Sequence, residues 1–284
     1  MLASFSGRSR AMTDLDLDRV RRHYGTESLI ARLKTALAAF GPENHPLKPE
    51  LLAPLDQFHT LGARATLDLA DLAGIAAGTV ALDIGSGLGG PARLLAATYG
   101  CRVTGVDLSE PFTEAARYLT ARTGQGGAVR FETASGLDLP FAAGEFEVVL
   151  LQHVAMNIAD RATLYGEIRR VLAPGGRFAT FDVVAAESEA IYPLPWARTP
   201  DTSFLITAEA TRAAVEASGF TTLTWRDDTE PARAWFARLR DAGPPPPPNL
   251  GTVMGPDFPE LTGNLGRSLT QGRLGVVTAV FEAI

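Results

Sequence analysis

The feature that most restricts the fold of this 284-residue chain is a regular alternation of short apolar runs with amphipathic stretches through its middle. The runs predict strands over residues 79–84, 102–108, 129–133, 146–152 and 177–184, separated by helices over 91–99, 111–123 and 161–172. Most of the runs are continuously apolar rather than alternating, as strands covered on both faces must be. Strand-helix repetition of this kind builds a parallel sheet with helices on both sides. Two further strands, over residues 220–225 and 275–281, complete an α/β, doubly wound, mostly parallel seven-stranded sheet.

The flanks of this rhythm read differently. Residues 1–12 carry Arg8 and Arg10 without an apolar stretch and are expected to form a flexible leader rather than a secretory signal. Residues 13–77 are expected to be a helical cap: one helix over 14–40 with Leu29, Leu33, Leu37 and Phe40 on a stripe, a proline-broken stretch, and a second helix over 61–75. The core sheet occupies residues 78–184. Residues 185–206 have no period and hold Pro193, Pro195 and Pro200, so they read as an insertion looping over the sheet edge. Residues 207–284 return to the sheet through a helix over 208–218 capped by Thr207, another over 230–239, and a proline run at 244–248 expected to be extended polyproline II.

Composition narrows the chemistry. The balance of 26 Lys+Arg against 32 Asp+Glu gives a net charge of -6, which opposes nucleic-acid binding driven by bulk phosphate attraction. A single cysteine, Cys101, excludes an intramolecular disulfide framework and a multi-cysteine zinc site, and suits a reducing, cytoplasmic compartment. Apolar runs are too short for a membrane span. Four scattered histidines with no H-x-x-x-H spacing give no metal site.

The chemistry-bearing stretch is Gly85-Ser86-Gly87-Leu88-Gly89-Gly90, which follows the first strand and opens a helix. Backbone amides and the positive helix end can there approach a bound polar group without Cβ interference. Gly85, Gly87 and Gly90 match G-x-G-x-x-G, and Asp107 ends the next strand at the distance where an acid holds two ribose hydroxyls. A nicotinamide dehydrogenase fits these residues as well. Against it, a long helical segment precedes the loop and the loop occurs once, whereas a dinucleotide fold needs a second mononucleotide-binding half. Asp83 sets a carboxylate at the strand top where a ligand ammonium can pair, which suits one adenosine with an amino-acid tail.

Five ordered blocks then carry a resemblance. They are Val80-Ala81-Leu82-Asp83-Ile84-Gly85-Ser86-Gly87-Leu88-Gly89-Gly90-Pro91-Ala92-Arg93, Val103-Thr104-Gly105-Val106-Asp107-Leu108-Ser109, Leu137-Asp138-Leu139-Pro140-Phe141, Gly144-Glu145-Phe146-Glu147-Val148-Val149 and Ile168-Arg169-Arg170-Val171-Leu172-Ala173-Pro174-Gly175-Gly176-Arg177-Phe178. Together they resemble the class I S-adenosylmethionine-dependent methyltransferases, whose fold is Rossmann-like. With Gln57-Phe58-His59 and Gln152-His153-Val154-Ala155-Met156-Asn157, the chain looks most similar to their sarcosine/dimethylglycine N-methyltransferase and related small-molecule branch.

That resemblance implies a transferase using S-adenosyl-L-methionine on a small molecule. It sets Gly85 and Gly87 against the methionine and ribose portion, Asp83 near the amino group, Asp107 on the ribose hydroxyls and Leu108 on adenine. Ser135, followed by Gly136, stands where many relatives carry an Asp that accepts from the adenine amine, and a hydroxyl is the weaker acceptor. Gln57, His59 and Gln152 are expected at the cofactor as well.

A sulfonium leaves readily, so the protein's main task is to place and align the nucleophile. An amine that arrives neutral needs no base, whereas a carbon or hydroxyl nucleophile does. His153, at the carboxyl end of the fourth strand, is therefore the candidate for substrate contact or general base. Tyr24, Asn157, Tyr192 and Trp196 are candidate substrate contacts, the aromatics suiting a cationic amine or an apolar acceptor equally. A non-catalytic module that senses the cofactor is a further reading, and monomer and homodimer are both open.

Overall fold

The computed structural model describes residues 29–243 and 246–284. Its sheet has seven strands: β1 (Val80–Ile84), β2 (Arg102–Asp107), β3 (Val129–Thr133), β4 (Phe146–Gln152), β5 (Leu172–Ala185), β6 (Phe220–Asp227) and β7 (Leu274–Ala283). Their spatial order is β3-β2-β1-β4-β5-β7-β6. The first five run parallel, and β7 is antiparallel between β5 and β6. All of β1 after Val80 and all of β4 except Glu147 are buried, the pattern of strands covered on both faces.

Among the described residues the α-helices are α1 (Leu29–Leu37), α2 (Ala53–Asp56), α3 (Ala63–Ala73), α4 (Gly90–Tyr99), α5 (Glu110–Arg122), α6 (Arg161–Val171), α7 (Ala208–Ala217), α8 (Thr229–Ala242), α9 (Leu250–Met254) and α10 (Phe258–Thr270). Local chemistry sets their ends. Gly74 and Gly100 close α3 and α4 in the left-handed conformation. Asp160 accepts from Thr163 N to cap α6, and Thr207 accepts from Ala210 N to cap α7. The α3, α4, α8 and α10 side chains share one core with one face of the sheet, and those of α6 and α7 share another with the opposite face.

A third core lies beside the sheet. Leu29, Leu33 and Leu37 of α1 pack with Leu52, Leu55, Leu88, Phe112, Leu119 and Val253. Leu33 and Leu37 are fully buried, each worth about 1.5–3 kcal/mol. Val253 belongs to α9, and Arg32 Nη2 donates to its carbonyl oxygen at 3.4 Å. A C-terminal segment therefore completes the helical cap.

Several expectations need correction. The expected helix over 14–40 is seen from Leu29, ending in a 3-10 turn at Ala38–Phe40; residues 14–28 lie outside those described, as does the 1–12 leader. Residues 185–206 do not cover an outer sheet edge: they leave β5, which lies inside the sheet, and pack on α10, where Ile191 N donates to Ser268 Oγ at 2.9 Å and Asn264 Nδ2 to Pro193 O at 2.8 Å. In the proline run, Pro244 and Pro245 are outside the described residues and the Pro247–Pro248 bond is cis, not the expected continuous extended form. The helices α9 and α10 were not expected. Gly263 and Gly266 obscure α10, although Leu261, Leu265 and Leu269 form a stripe as regular as that of α1. Among the described residues no helix is long and apolar enough to cross a membrane.

Candidate cofactor site

Strand order reverses between β1 and β4, and open α/β sheets take ligands at such a switch point, outside the strand carboxyl ends. A cavity of about 290 Å³ opens there. Its floor is the turn after β1, where Gly85 N and Ser86 N donate to Val106 O at 2.8 and 2.9 Å. Gly85 has φ 72°, and a Cβ on it would meet Val154 Cγ2 at 2.3 Å. Only glycine lets the turns after β1 and β4 approach this closely.

Two carboxylates face the turn differently. Asp107 accepts from Gly87 N and Ser109 N, both at 2.9 Å, so it braces the loop while lining the cavity. Burial pushes its carboxyl above the usual range, against the pull of those two backbone donors. Asp83 is 1% exposed, and its Oδ2 has no hydrogen-bond partner. Burial, then the neighbouring Asp107, push it up to about 7. A buried acceptor without a donor is costly unless a ligand supplies one.

The cavity wall is apolar. Leu108, Phe112 and Phe58 line it, the two phenyl rings 5.8 Å apart, and a Cβ on Gly87 would reach the Phe58 ring at 3.4 Å. Ser135 and Gly136 line it from the turn after β3. Ser135 Oγ accepts from Leu137 N at 3.1 Å, so it holds the turn as well as facing the cavity. A Cβ on Gly136 would crowd Ile84 and Leu164, each at 3.2 Å.

Polar groups gather at the end of β4. Gln152, His59, His153 and Asn157 all line the cavity. Thr66 Oγ1 lies 3.0 Å from His59 Nε2 and 3.0 Å from one end of the Gln152 side-chain amide, and His59 Nδ1 lies 3.2 Å from Thr60 O. His153 takes a left-handed φ of 54°, stacks on Phe181 at 5.1 Å and pairs its Nε2 with Thr60 Oγ1 at 3.3 Å. Burial holds His59 down to about 4, and burial together with His59 holds His153 well below the usual histidine range. Both rings are thus neutral at neutral pH, which makes His153 a weak base. Asn157 is exposed at the rim, its Nδ2 donating to Val154 O. Asp182 fixes this turn from β5, accepting from Ala155 N at 2.9 Å.

Not every expected residue gathers here. Gln57 is buried next to the site, with Oε1 unpartnered, but does not line the cavity. Tyr192 and Trp196 do not line it either: both pack on the core at the α10 face, with Trp196 Nε1 donating to Ser203 Oγ at 3.0 Å. These two aromatic side chains are drawn onto the core instead of facing the mouth. Tyr24 lies outside the described residues. The unforeseen participants are Asp56, Phe58, Thr60, Thr66, Phe112 and Asp182; Phe58 stood inside a quoted segment, whereas the threonines meet their partners only through long-range packing. Among the described residues no cluster of three or more His, Cys, Asp or Glu has the arrangement to hold a metal ion.

A doubly wound sheet with its cavity at the switch point and a glycine turn against a carboxylate belongs to the ligand-binding α/β class. Within that class, residues 82–180 match the family model described as a methyltransferase domain. The glycine/sarcosine/dimethylglycine N-methyltransferase of Actinopolyspora halophila is 35% identical over 135 residues, which are 48% of this chain and 24% of that protein. The sterol 24-C-methyltransferase of Eremothecium gossypii is 34% identical over 42% of this chain and 32% of its own length. The chain thus spans a third or less of the length of these two curated relatives. In structure, the geranyl diphosphate C-methyltransferase from Streptomyces coelicolor A3(2) superposes with TM-score 0.70 at 18% identity, over 96% of this chain and 99% of that one, a likeness of fold.

Proposed function

We propose that this chain transfers a methyl group from S-adenosylmethionine to a small-molecule acceptor, by preference an amine nitrogen. The observation that carries the cofactor is the unpaired, buried Asp83 Oδ2 beside the glycine turn: it fits an ammonium, which a nicotinamide dinucleotide does not present. The bound cofactor supplies an electrophilic methyl on a sulfonium. The residues do the rest. Gly85 and Gly87 allow close backbone approach, Asp107 has lone pairs left for ribose hydroxyls, and Leu108, Phe58 and Phe112 offer flat apolar contact to adenine. Ser135 offers its hydroxyl, with Gly136 beside it packed against Ile84, and Gln152 and His59 close the methionine end.

The acceptor would enter past His153 and Asn157. Both cavity histidines are neutral and weakly basic, which suits an amine that attacks without losing a proton first. His153 then serves as a contact that orients the nucleophile. Carbon or oxygen methylation of an apolar natural-product or isoprenoid intermediate is the second reading, favoured by Val154, Ile158 and Leu137 on the cavity wall. The acidic net charge opposes a nucleic-acid acceptor.

Calorimetry tests the cofactor: S-adenosylhomocysteine binds, the heat is lost in Asp107→Ala, and NADH gives none. NADH binding without S-adenosylhomocysteine would establish an oxidoreductase instead. Labelled-methyl transfer across pooled amines, phenols and prenyl diphosphates then identifies the acceptor class, and silence across all of them points to a cofactor-sensing module.

A further inference from the structure

The polar groups between the cap and β4 fix one another's protons. A carbonyl only accepts, so His59 Nδ1, 3.2 Å from Thr60 O, must carry the ring hydrogen. In a neutral ring Nε2 is then bare and accepts from the Thr66 hydroxyl 3.0 Å away. That uses the hydroxyl's one proton. The end of the Gln152 amide lying 3.0 Å from Thr66 Oγ1 must therefore donate, which makes it the nitrogen, because the two ends of an amide are told apart by their partners. Its other end, buried and without a protein partner, is then the carbonyl oxygen.

That oxygen lies in a telling place. Gln152 is 7% exposed and lines the cavity. Asp83 pairs with Leu150 in the β1–β4 register, so Gln152, two residues on, shares the sheet face of Asp83. Asp83 Oδ2 is likewise unpartnered. Two acceptors facing one side of the cavity call for one group with several protons.

We infer that His59 and Thr66 are positioning residues, a hydrogen-bond relay that holds the Gln152 amide with its oxygen toward the cavity so that it shares a ligand ammonium with Asp83. The inference rests on the cofactor reading above and adds how the protein reads the ligand's amino-acid tail. Thr66→Val cuts the relay, releasing the amide to turn its nitrogen toward the ammonium, and Gln152→Leu removes the acceptor.

Two ligands separate this from a general structural role: S-adenosylhomocysteine, and 5′-methylthioadenosine, which keeps the adenosine and thioether but lacks the amino-acid tail. Thr66→Val and Gln152→Leu are each expected to weaken S-adenosylhomocysteine about tenfold, the scale of one hydrogen bond to a charged group, while methylthioadenosine binds as before and Thr66→Ser restores the first ligand. Equal weakening of both ligands, or no loss for S-adenosylhomocysteine, overturns the relay while leaving the cofactor reading intact. A wild-type chain that binds neither ligand overturns both. Imidazole nitrogen-15 shifts of the wild-type protein give an independent reading: the proton of His59 on Nδ1 is expected, and on Nε2 it overturns the inference even if Thr66→Val fails to fold.

Discussion

At Asp83 stability and binding pull in opposite directions. Its carboxyl is raised from an ordinary 3.8 to about 7, by burial first and by Asp107 second. The folded chain therefore holds a proton there that the unfolded chain has lost, and the associated stability, complete below about pH 4, is lost as pH rises through about 7. Asp56 and Asp182, each raised to about 6 by burial, act in the same direction. Asp83→Asn is expected to raise the ligand-free melting temperature at pH 8 while weakening S-adenosylhomocysteine about tenfold or more, measured by thermal denaturation and calorimetry. A variant less stable than wild type at pH 8 would mean that the carboxylate has an internal partner. Binding an ammonium ionises Asp83, so wild-type titrations below pH 7 release a proton, detected as heats that differ between buffers of different ionisation enthalpy, and the affinity rises with pH to a plateau. Asp83 and Asp107 were legible in the sequence because each stands at or next to the end of a strand, at a fixed step from the glycine turn. His59 was legible as a cofactor-side residue of the cap, but its partner Thr66 was not, since that contact depends on how α3 docks on the sheet.

Among the elements, the cap is held by a latch rather than by apolar contact alone. Arg93 of α4 pairs through Nη2 with Asp56 of α2 at 2.7 Å, both side chains buried, and its Nη1 donates to Thr120 Oγ1 of α5 at 3.0 Å. A Cβ on Gly90 would sit 2.3 Å from Asp56 O, so the cap rests directly on the helix that opens from the glycine turn. Removing one member strands a buried charge: Arg93→Met is expected to lose about 3–5 kcal/mol in chemical denaturation, and the double variant with Asp56→Leu to lose less. Equal losses would show that packing, not charge, holds the latch. The sequence marked Arg93 only as the end of a motif; that its partner is Asp56, 37 residues earlier, depends on the cap's path. The parallel strands were legible to within a residue or two at most ends because burial on both faces writes itself as an apolar run. The exception is β5, which begins at Leu172 instead of 177: Ala173-Pro174-Gly175-Gly176 reads as a turn, yet Leu172 pairs with Phe146 across an irregularity.

For the molecule as a whole, the two segments outside the sheet divide the work differently from the expectation. The insertion meets the cavity mouth through Phe204, not through Tyr192 or Trp196. Phe204 N donates to Met156 O at 2.9 Å, Arg161 Nη2 donates to Phe204 O at 2.9 Å, and the next residues after Met156, Asn157 and Ile158, line the cavity. Phe204 is itself exposed. Trp196, tied to Ser203 and packed on the core, holds the insertion's shape instead. The two aromatics should therefore separate in their effects. Trp196→Ala is expected to cost roughly 3 kcal/mol in denaturation, as large core truncations do, with the KM for the acceptor found by the methyl-transfer screen little changed. Phe204→Ala should leave stability within about 0.5 kcal/mol, as an exposed substitution does, and raise that KM several-fold with the S-adenosylhomocysteine affinity intact. The reverse pattern would put the acceptor against Trp196 and require the insertion to reorganise when substrate arrives, because the core contacts that now hold Trp196 must then open.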